Sequence, residues 1–109
     1  MACSLDFIEF VCEQIAPIGD IRYRKMFGEY MIYANEKTVI IACDNIAFVK
    51  QHKAIETLMV GAEKGFPYDG AKEHYILDVS KADNAVRVVT ILAEVLPYPK
   101  KRNKQKNAL

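Results

Sequence analysis

Two histidines and three cysteines are the side chains of this sequence best suited to nucleophilic catalysis or metal binding: His52, His74, Cys3, Cys12 and Cys43. A thiol nucleophile needs a base within hydrogen-bonding reach. Neither histidine adjoins a cysteine in the sequence, although a spatial pairing of Cys43 with one of them stays open. No Cys-x-x-Cys or Cys/His cluster has the spacing of a zinc site, and no nucleotide-binding, zinc-protease or EF-hand motif occurs. We therefore expect no catalytic site, no metal and no cofactor, and we interpret the cysteines as buried structural thiols.

A short basic stretch is the feature most suggestive of a binding surface. If it forms a strand, Arg22 and Arg24 project to one face, and Lys25 follows them directly. Three tyrosines lie nearby in the sequence: Tyr23, Tyr30 and Tyr33. Cations contact nucleic-acid phosphates and aromatic rings stack on bases, so this stretch is one candidate for nucleic-acid binding. The alternative is a solvated sheet edge, where charged side chains discourage pairing with a strand of another molecule.

Charge is distributed unevenly along the chain. The 109 residues carry a net charge of +1, but the last thirteen positions contain five basic residues and no acidic one. The other ten basic and fourteen acidic residues give residues 1–96 a balance of −4. A negative body favours the sheet-edge interpretation, because a DNA-binding face usually dominates the charge of its domain. The basic residues of the tail are Lys100, Lys101, Arg102, Lys104 and Lys106.

The basic tail has two interpretations. It attracts phosphate or an acidic partner, or it is a solvated end that keeps the protein in solution. Length and a hydrophobic content of 51% predict one globular domain over residues 1–97, followed by a disordered tail over residues 98–109. No apolar run approaches the roughly 18 residues of a membrane span, and Asp6 and Glu9 stand where a signal peptide would be basic. The sequence therefore predicts a cytoplasmic protein with no membrane contact.

The first half of the chain predicts a helix followed by strands. Apolar residues recur at helical spacing over residues 5–16, with Ser4 suited to cap the helix and Pro17 and Gly19 suited to end it. Four runs rich in β-branched and aromatic residues follow, the pattern of consecutive antiparallel strands. The expected strands are residues 21–26, 29–34, 38–43 and 46–50. The turn residues best suited to positive φ are Gly28, Asn35 and Asn45.

The second half predicts a short helix over residues 51–60, a strand over 74–79 and a helix over 82–96. A pair resembling a capping box, Ser80 and Asp83, should begin the last helix. Its polar residues form one narrow stripe, so we expect it to be buried around most of its circumference. Those residues are Asp83, Arg87, Thr90 and Glu94. The element order predicts an α+β domain: N-terminal helix, four-stranded antiparallel meander, short helix, fifth strand and buried C-terminal helix.

Two of the expected strands are apolar on both faces. Ile32 and Ala34 line one face of the second strand while Met31 and Tyr33 line the other, and residues 39–43 are apolar throughout. Strands of this kind should be covered on both faces. Because one helical layer covers one face, a symmetric homodimer is a candidate for the second cover.

Residues 24–33, RKMFGEYMIY, resemble the signature of the TfoX/Sxy family, specifically the N-terminal domain of these bacterial competence regulators. Three further blocks agree in order and spacing, and the resemblance covers residues 5–96. These blocks are residues 18–22, residues 43–50, and the loop at 66–68 together with residues 74–77. The signature positions are Met26, Phe27, Gly28, Tyr30 and Tyr33.

The resemblance has one departure and one missing part. Some family members have glycines where Glu29 and Met31 stand, which implies a more regular second strand in this chain. Full-length members also carry a helical C-terminal domain that has no counterpart in this sequence. We therefore expect a free-standing copy of the N-terminal domain, and no DNA-related activity of the missing domain is carried over.

Two functional hypotheses follow. The resemblance implies a bacterial protein connected with the transcriptional regulation of DNA uptake, acting alongside a cyclic-AMP-responsive regulator, and it transfers no catalytic residue. The leading hypothesis is therefore a non-enzymatic interaction domain that contacts a protein of the transcription machinery through an exposed sheet face or edge. The alternative is direct nucleic-acid binding through Arg22, Arg24, Lys25 and the tail cations. An enzyme is the least favoured class, because it would require Cys43 beside a histidine.

Overall fold

A computed structural model describes residues 3–26 and 28–97 of the chain. Its two α-helices are Leu5–Ile15 (α1) and Ala82–Val95 (α2). Its strands are Ile21–Met26 (β1), Glu29–Ala34 (β2), Lys37–Cys43 (β3), Ile46–Lys50 (β4), Lys64–Gly65 (β5) and His74–Leu77 (β6). The strands form one antiparallel sheet in the order β1-β2-β3-β4-β6-β5. The α+β class, the meander and both terminal helices are confirmed.

Helix α1 begins and ends where its sequence indicates. The Ser4 hydroxyl accepts a hydrogen bond from the Phe7 backbone N–H at 3.2 Å, which satisfies one of the amides that the first turn leaves unpaired. Ile8, Val11 and Ile15 lie fully buried along one side of the helix. A 3₁₀ turn at Ala16–Ile18 then carries the chain away from the helix and into β1.

The hairpin turns explain why the meander is so regular. Asn35 and Glu36, between β2 and β3, have φ of 51° and 71°, and Asp44 and Asn45, between β3 and β4, have φ of 55° and 60°. Two consecutive positive φ values give the type I′ geometry that matches the twist of flanking strands. Positive φ at Gly28, Asn35 and Asn45 is thereby confirmed, and Glu36 and Asp44 join them.

The segment after the meander differs from its prediction in two respects. The expected helix over residues 51–60 is a pair of 3₁₀ turns, Lys53–Ile55 and Thr57–Met59. So short a segment makes few helical hydrogen bonds, which favours isolated tight turns over an α-helix. The short strand β5 was not predicted, because two residues carry no periodicity. It pairs with β6 and forms one edge of the sheet.

The predicted capping pair at the start of α2 is wrong. The Ser80 hydroxyl donates to Asp78 Oδ1 at 2.5 Å, and the Ser80 backbone N–H donates to the same atom at 3.1 Å. Ser80 therefore closes a local turn on Asp78, and the cap position of the helix falls on Lys81, which makes no side-chain capping bond. Burial of α2 is also narrower than expected, because Val86 and Ile91 are half-buried and Val95 is 42% exposed.

The sheet has two faces of different character. Both helices pack against one face, here called the inner face, and they contact each other over it. Seven strand residues of that face are at most 3% exposed: Ile32, Ala34, Ile40, Ala42, Ala47, Val49 and Leu77. The opposite face, here called the outer face, receives the alternate side chains of the same strands. Neither α-helix covers it.

Candidate interaction surface

A single row of side chains crosses the middle of the outer face. The strand register aligns Arg24 with Met31, Met31 with Ile41, Ile41 with Phe48, and Phe48 with Ile76. At the far end, the Ile76 N–H donates to the Glu63 carbonyl at 2.8 Å, which continues the row to the β5 edge. We call these six residues the central row: Arg24, Met31, Ile41, Phe48, Ile76 and Glu63.

The central row is apolar in its middle and charged at its ends. Phe48 is 5% exposed, whereas Met31, Ile41 and Ile76 are half-buried. The Phe48 ring covers Gly65, where an added Cβ would lie 3.1 Å from its edge. Arg24 and Glu63 are exposed. Within residues 3–26 and 28–97, neither of them makes a side-chain hydrogen bond or ion pair.

Further half-buried side chains widen this apolar surface. On one flank lie Met26, Cys43 and Ile46, and on the other lies Tyr33. The two apolar faces of β2, with Ile32 and Ala34 on one and Met31 and Tyr33 on the other, were predicted correctly from the sequence. The sequence did not predict that the central row contains Phe48, Ile76 and Glu63. Their alignment depends on the pairing of β4 with β6, which no local sequence pattern indicates.

The basic stretch of β1 is split between the two faces. Arg22 and Arg24 project to the outer face, while Lys25 pairs with Tyr30 and projects to the inner side. Arg22 also forms an ion pair with Asp20, Nε to Oδ2 at 3.2 Å. The structure therefore brings two of the three predicted strand cations together, and a carboxylate already lies against one of them.

The tyrosines divide in the same way. Tyr33 lies opposite Arg22 on the outer face. Tyr23 and Tyr30 lie on the inner side of the sheet, where their rings meet edge to face with centroids 5.8 Å apart. Of the three tyrosines proposed to accompany the cations, Tyr33 is the one that lies on the outer face with Arg22 and Arg24.

The signature positions surround the turn between β1 and β2. Met26 ends β1, and Gly28 has φ of 86°, a left-handed conformation that glycine adopts without strain. Tyr30 packs against the core and Tyr33 lies on the outer face. Phe27 and the five tail cations, Lys100, Lys101, Arg102, Lys104 and Lys106, lie outside the described residues, as does the expected tail as a whole.

The geometry separates Cys43 from both histidines. Cys43 pairs with Ile46 at one end of β4, whereas His74 pairs with Lys50 at the other end, about 13 Å away along the strand. His52 lies beyond Lys50, and its Nδ1 accepts the Ala54 N–H at 3.0 Å. Burial raises the pKa of the Cys43 thiol and Glu29 raises it further, which opposes formation of the thiolate nucleophile.

The other two cysteines occupy structural positions. Burial, reinforced by Glu9, raises the pKa of Cys12 on α1. The Cys3 sulfur accepts the Asn45 N–H at 3.2 Å, and the Asn45 side chain accepts the Ser4 N–H at 2.9 Å. These two bonds tie the residues before α1 to the β3–β4 turn.

His74 is buried, with 7% of its surface exposed. Its Nδ1 lies 2.7 Å from the Lys72 carbonyl, so Nδ1 carries the proton and donates it to that oxygen. Its Nε2 has no hydrogen-bond partner within the described part of the chain. The atom is enclosed by protein, so the ring contributes packing to β6 and is not accessible to a substrate.

A solvent-open groove of about 730 Å³ lies between α1 and residues 58–63, and its lining also includes Glu63 and Ile76 at the end of the central row. Phe10 and Val60 line it and are 40% and 83% exposed. The charged residues that line it are of both signs: Glu63, Asp78 and Lys81. This mixture selects no particular ligand charge.

Within residues 3–26 and 28–97, no helix is long and apolar enough to cross a membrane. The same residues hold no group of three or more His, Cys, Asp or Glu side chains placed to bind a metal ion.

Comparison with models of protein families gives no match. A comparison with curated proteins finds a relative in Spirochaeta aurantia, described as an uncharacterized 12.7 kDa protein in the trpE 5' region. The two sequences are 36% identical over 104 residues, which cover 94% of this chain and 90% of the relative. Similarity of this extent spans the whole described domain. The chain therefore belongs to the same protein family as this Spirochaeta aurantia protein.

Proposed function

We propose that this chain is a non-enzymatic regulatory domain that acts through protein contacts made by the outer face of its sheet. The observation that carries the proposal is the central row. Its four middle side chains are apolar and lie on a face that neither helix covers. Phe48 is buried at their centre, whereas Met31, Ile41 and Ile76 keep part of their surface exposed. Apolar side chains gathered on one accessible face in this way are typical of protein interaction sites.

The arrangement of the polar groups supports the same class of function. Cys43 lies far from both histidines, and the pKa shifts of Cys12 and Cys43 favour the neutral thiol. An apolar face bordered by single charges is suited to binding another protein surface.

The nature of the partner comes from the resemblance to the TfoX/Sxy N-terminal domain. This resemblance points to the bacterial transcription machinery, and in particular to a cyclic-AMP-responsive regulator. The resemblance of residues 24–33 to the family signature supports it, and Met26 and Tyr33 of that stretch border the apolar part of the outer face.

Binding of the purified chain to a purified bacterial cyclic-AMP-responsive regulator and to RNA polymerase tests this proposal. Biolayer interferometry should detect binding to one of them, and Ile41→Asp should abolish it by placing a carboxylate in the middle of the apolar row. Val95→Asp is the matched control, because it changes an exposed apolar residue of α2, the helix that packs on the inner face. Failure of the wild-type chain to bind either protein, or equal binding by both variants, would contradict the proposal.

The second candidate function is direct nucleic-acid binding, and the common outer-face position of Arg22 and Arg24 favours it. Phosphate contacts release counterions, so the affinity for duplex DNA should then fall steeply with salt. Arg24→Glu and removal of residues 100–109 should each flatten that dependence. Binding that is absent, or that has an unchanged salt slope in both variants, would eliminate this candidate.

A further inference from the structure

We propose that the partner covering the outer face is a second copy of this chain, docked face to face about a two-fold axis that runs parallel to the strands between β3 and β4. The inference rests on the proposed function, because it concerns the same face: the second copy covers the outer face in the free protein, and a transcription protein that binds there takes the place of the second copy. It is carried by the order of side chains along the central row.

The central row is complementary to itself. One residue comes from each of the six strands or their extensions, in the order Arg24, Met31, Ile41, Phe48, Ile76, Glu63. A two-fold axis between β3 and β4 exchanges the third residue with the fourth, the second with the fifth and the first with the sixth. Ile41 then faces the second copy's Phe48, Met31 faces its Ile76, and each end of the row meets the opposite end.

Within the central row, the charges at the ends favour this axis over the alternative. A two-fold axis perpendicular to the strands, along the row itself, would place Arg24 against the second copy's Arg24 and Glu63 against its Glu63. The axis parallel to the strands instead places each Arg24 against a Glu63, twice per dimer. An isologous interface repeats every contact, so both attractions and repulsions are doubled.

The two terminal charges are available for this contact. Arg24 and Glu63 are both exposed and lack an ion-pair partner within residues 3–26 and 28–97, whereas the neighbouring Arg22 is paired with Asp20. The row thus combines an apolar middle with two charges of opposite sign at its ends.

The area of the face indicates how stable the dimer is. The six strands hold 2 to 7 residues each. With a mean length of about 17 Å and a spacing of about 4.8 Å, they give a footprint of roughly 500 Å² on each copy. Two such footprints bury roughly 1,000 Å², which lies at the lower limit for a specific protein interface. We therefore expect a dimer whose population depends on concentration in the micromolar range, with the two sheets about 10 Å apart as in a β-sandwich.

Charge exchange tests the geometry directly. Arg24→Glu alone places two carboxylates at each end of the interface, and Glu63→Arg alone places two guanidinium groups there. Sedimentation velocity from 5 to about 200 μM should show a dimer for the wild type and a dissociation constant at least tenfold weaker for each single variant, a loss of the size typical of an unfavourable charge contact. The double variant should recover the wild-type constant, because the exchange restores the pairing.

The matched control is Lys25→Glu, which reverses a charge on the same strand but on the opposite face. It should leave the dimer unchanged. Circular dichroism of every variant separates loss of dimer from loss of fold. A monomeric wild type at all concentrations, or a double variant no better than the single variants, would overturn the proposed dimer.

The outcomes for the dimer and for the proposed function are separable. A monomeric chain that binds the cyclic-AMP-responsive regulator, and loses that binding in Ile41→Asp, would overturn the dimer and leave the proposed function intact. A dimer that recovers in the charge-exchanged double variant but binds no transcription protein would support the second-copy interface and contradict the transcriptional partner.

Discussion

Gly19 lies directly against the side-chain amide of Asn35, so a larger residue at position 19 would displace that amide. A Cβ built on Gly19 would stand 2.5 Å from Asn35 Oδ1, and the Gly19 φ of 149° is one that other residues rarely adopt. The same Oδ1 atom accepts the Asp20 N–H at 3.0 Å, while the Asn35 N–H donates to the Asp20 carbonyl at 2.8 Å. The end of the α1 segment is thereby fastened to the β2–β3 turn, which sets the position of α1 over β1 and β2.

Gly19→Ala should therefore be strongly destabilising. The substitution combines backbone strain of about 1–3 kcal/mol with a contact that displaces the Asn35 amide from its hydrogen bond. We expect the free energy of unfolding in urea to fall by about 3 kcal/mol. Gly70→Ala is the control, because Gly70 has φ of 84° but open space around its Cβ position. It should cost about 1 kcal/mol, and equal losses at both positions would show that the Asn35 contact contributes nothing.

Neighbouring residues of β3 should respond differently to the same truncation. Ile40 is 1% exposed on the inner face, so Ile40→Ala should leave a cavity and cost about 3 kcal/mol of stability at any protein concentration. Ile41 is half-buried on the outer face, and Ile41→Ala should cost about 1 kcal/mol in the monomer. Urea unfolding at 1 μM measures both effects.

Urea unfolding repeated at about 100 μM protein measures the additional stability that association through the outer face provides. Wild-type stability should rise with concentration, since a dimer of folded chains is favoured by mass action. Ile40→Ala should retain this rise and Ile41→Ala should lose most of it. The same concentration dependence in both variants would place the association surface elsewhere on the molecule.

Acid should weaken the turn that precedes α2. The Ser80 hydroxyl and then the Ser80 backbone N–H donate to Asp78, and both hydrogen bonds lower the pKa of its carboxyl group. A carboxyl group with a lower pKa in the folded than in the unfolded state stabilises the fold above the unfolded value of about 3.9. That contribution is lost as the pH falls through the lower, folded value.

Ser80→Ala should raise the pKa of Asp78 towards its ordinary value, and incompletely, because the backbone hydrogen bond remains. NMR titration of the Asp78 carboxyl carbon measures this change. Ser80→Thr keeps the hydroxyl and should preserve the lowered pKa. An unchanged pKa in Ser80→Ala would mean that the hydroxyl bond does not form in solution.

The sequence predicted the local parts of this fold well and the long-range parts less well. The ends of β1, β2 and β4 were predicted to the residue, because alternation and turn residues such as Asn35 and Asn45 are local signals. The pairing of β6 with β4 and the two-residue β5 depend on contacts between distant segments. No periodicity within a few residues records such contacts.

The candidate site follows the same division. The doubly apolar character of β2 and β3 was visible in the sequence, and with it the need for a cover on the second face. The sequence did not show which cations lie on the outer face. Arg22, Arg24 and Lys25 are close in the sequence, and only the register of β1 fixes the face to which each side chain projects. Nothing in the sequence around Glu63 indicated that it lies at the end of the central row, because that position arises from its backbone pairing with Ile76.

The thiol of Cys43 should react slowly with alkylating reagents at neutral pH. Burial is the main cause of its raised pKa and Glu29 the next, so the reactive thiolate is scarcer than in a free cysteine. Iodoacetamide labelling at pH 7, followed by mass spectrometry of the Cys43 peptide, should give a rate below that of an unstructured cysteine peptide. The rate should increase with pH as the thiolate forms.

Glu29→Gln isolates the electrostatic part of this effect. It removes the negative charge near Cys43 while leaving its burial unchanged, so the pKa should fall modestly and the labelling rate should rise about twofold. Glu13→Gln, on the exposed side of α1, is the matched control and should leave the rate unchanged. A wild-type Cys43 that labels faster than the free peptide would indicate an activated thiol and would reopen the enzyme hypothesis, with a base other than His52 or His74.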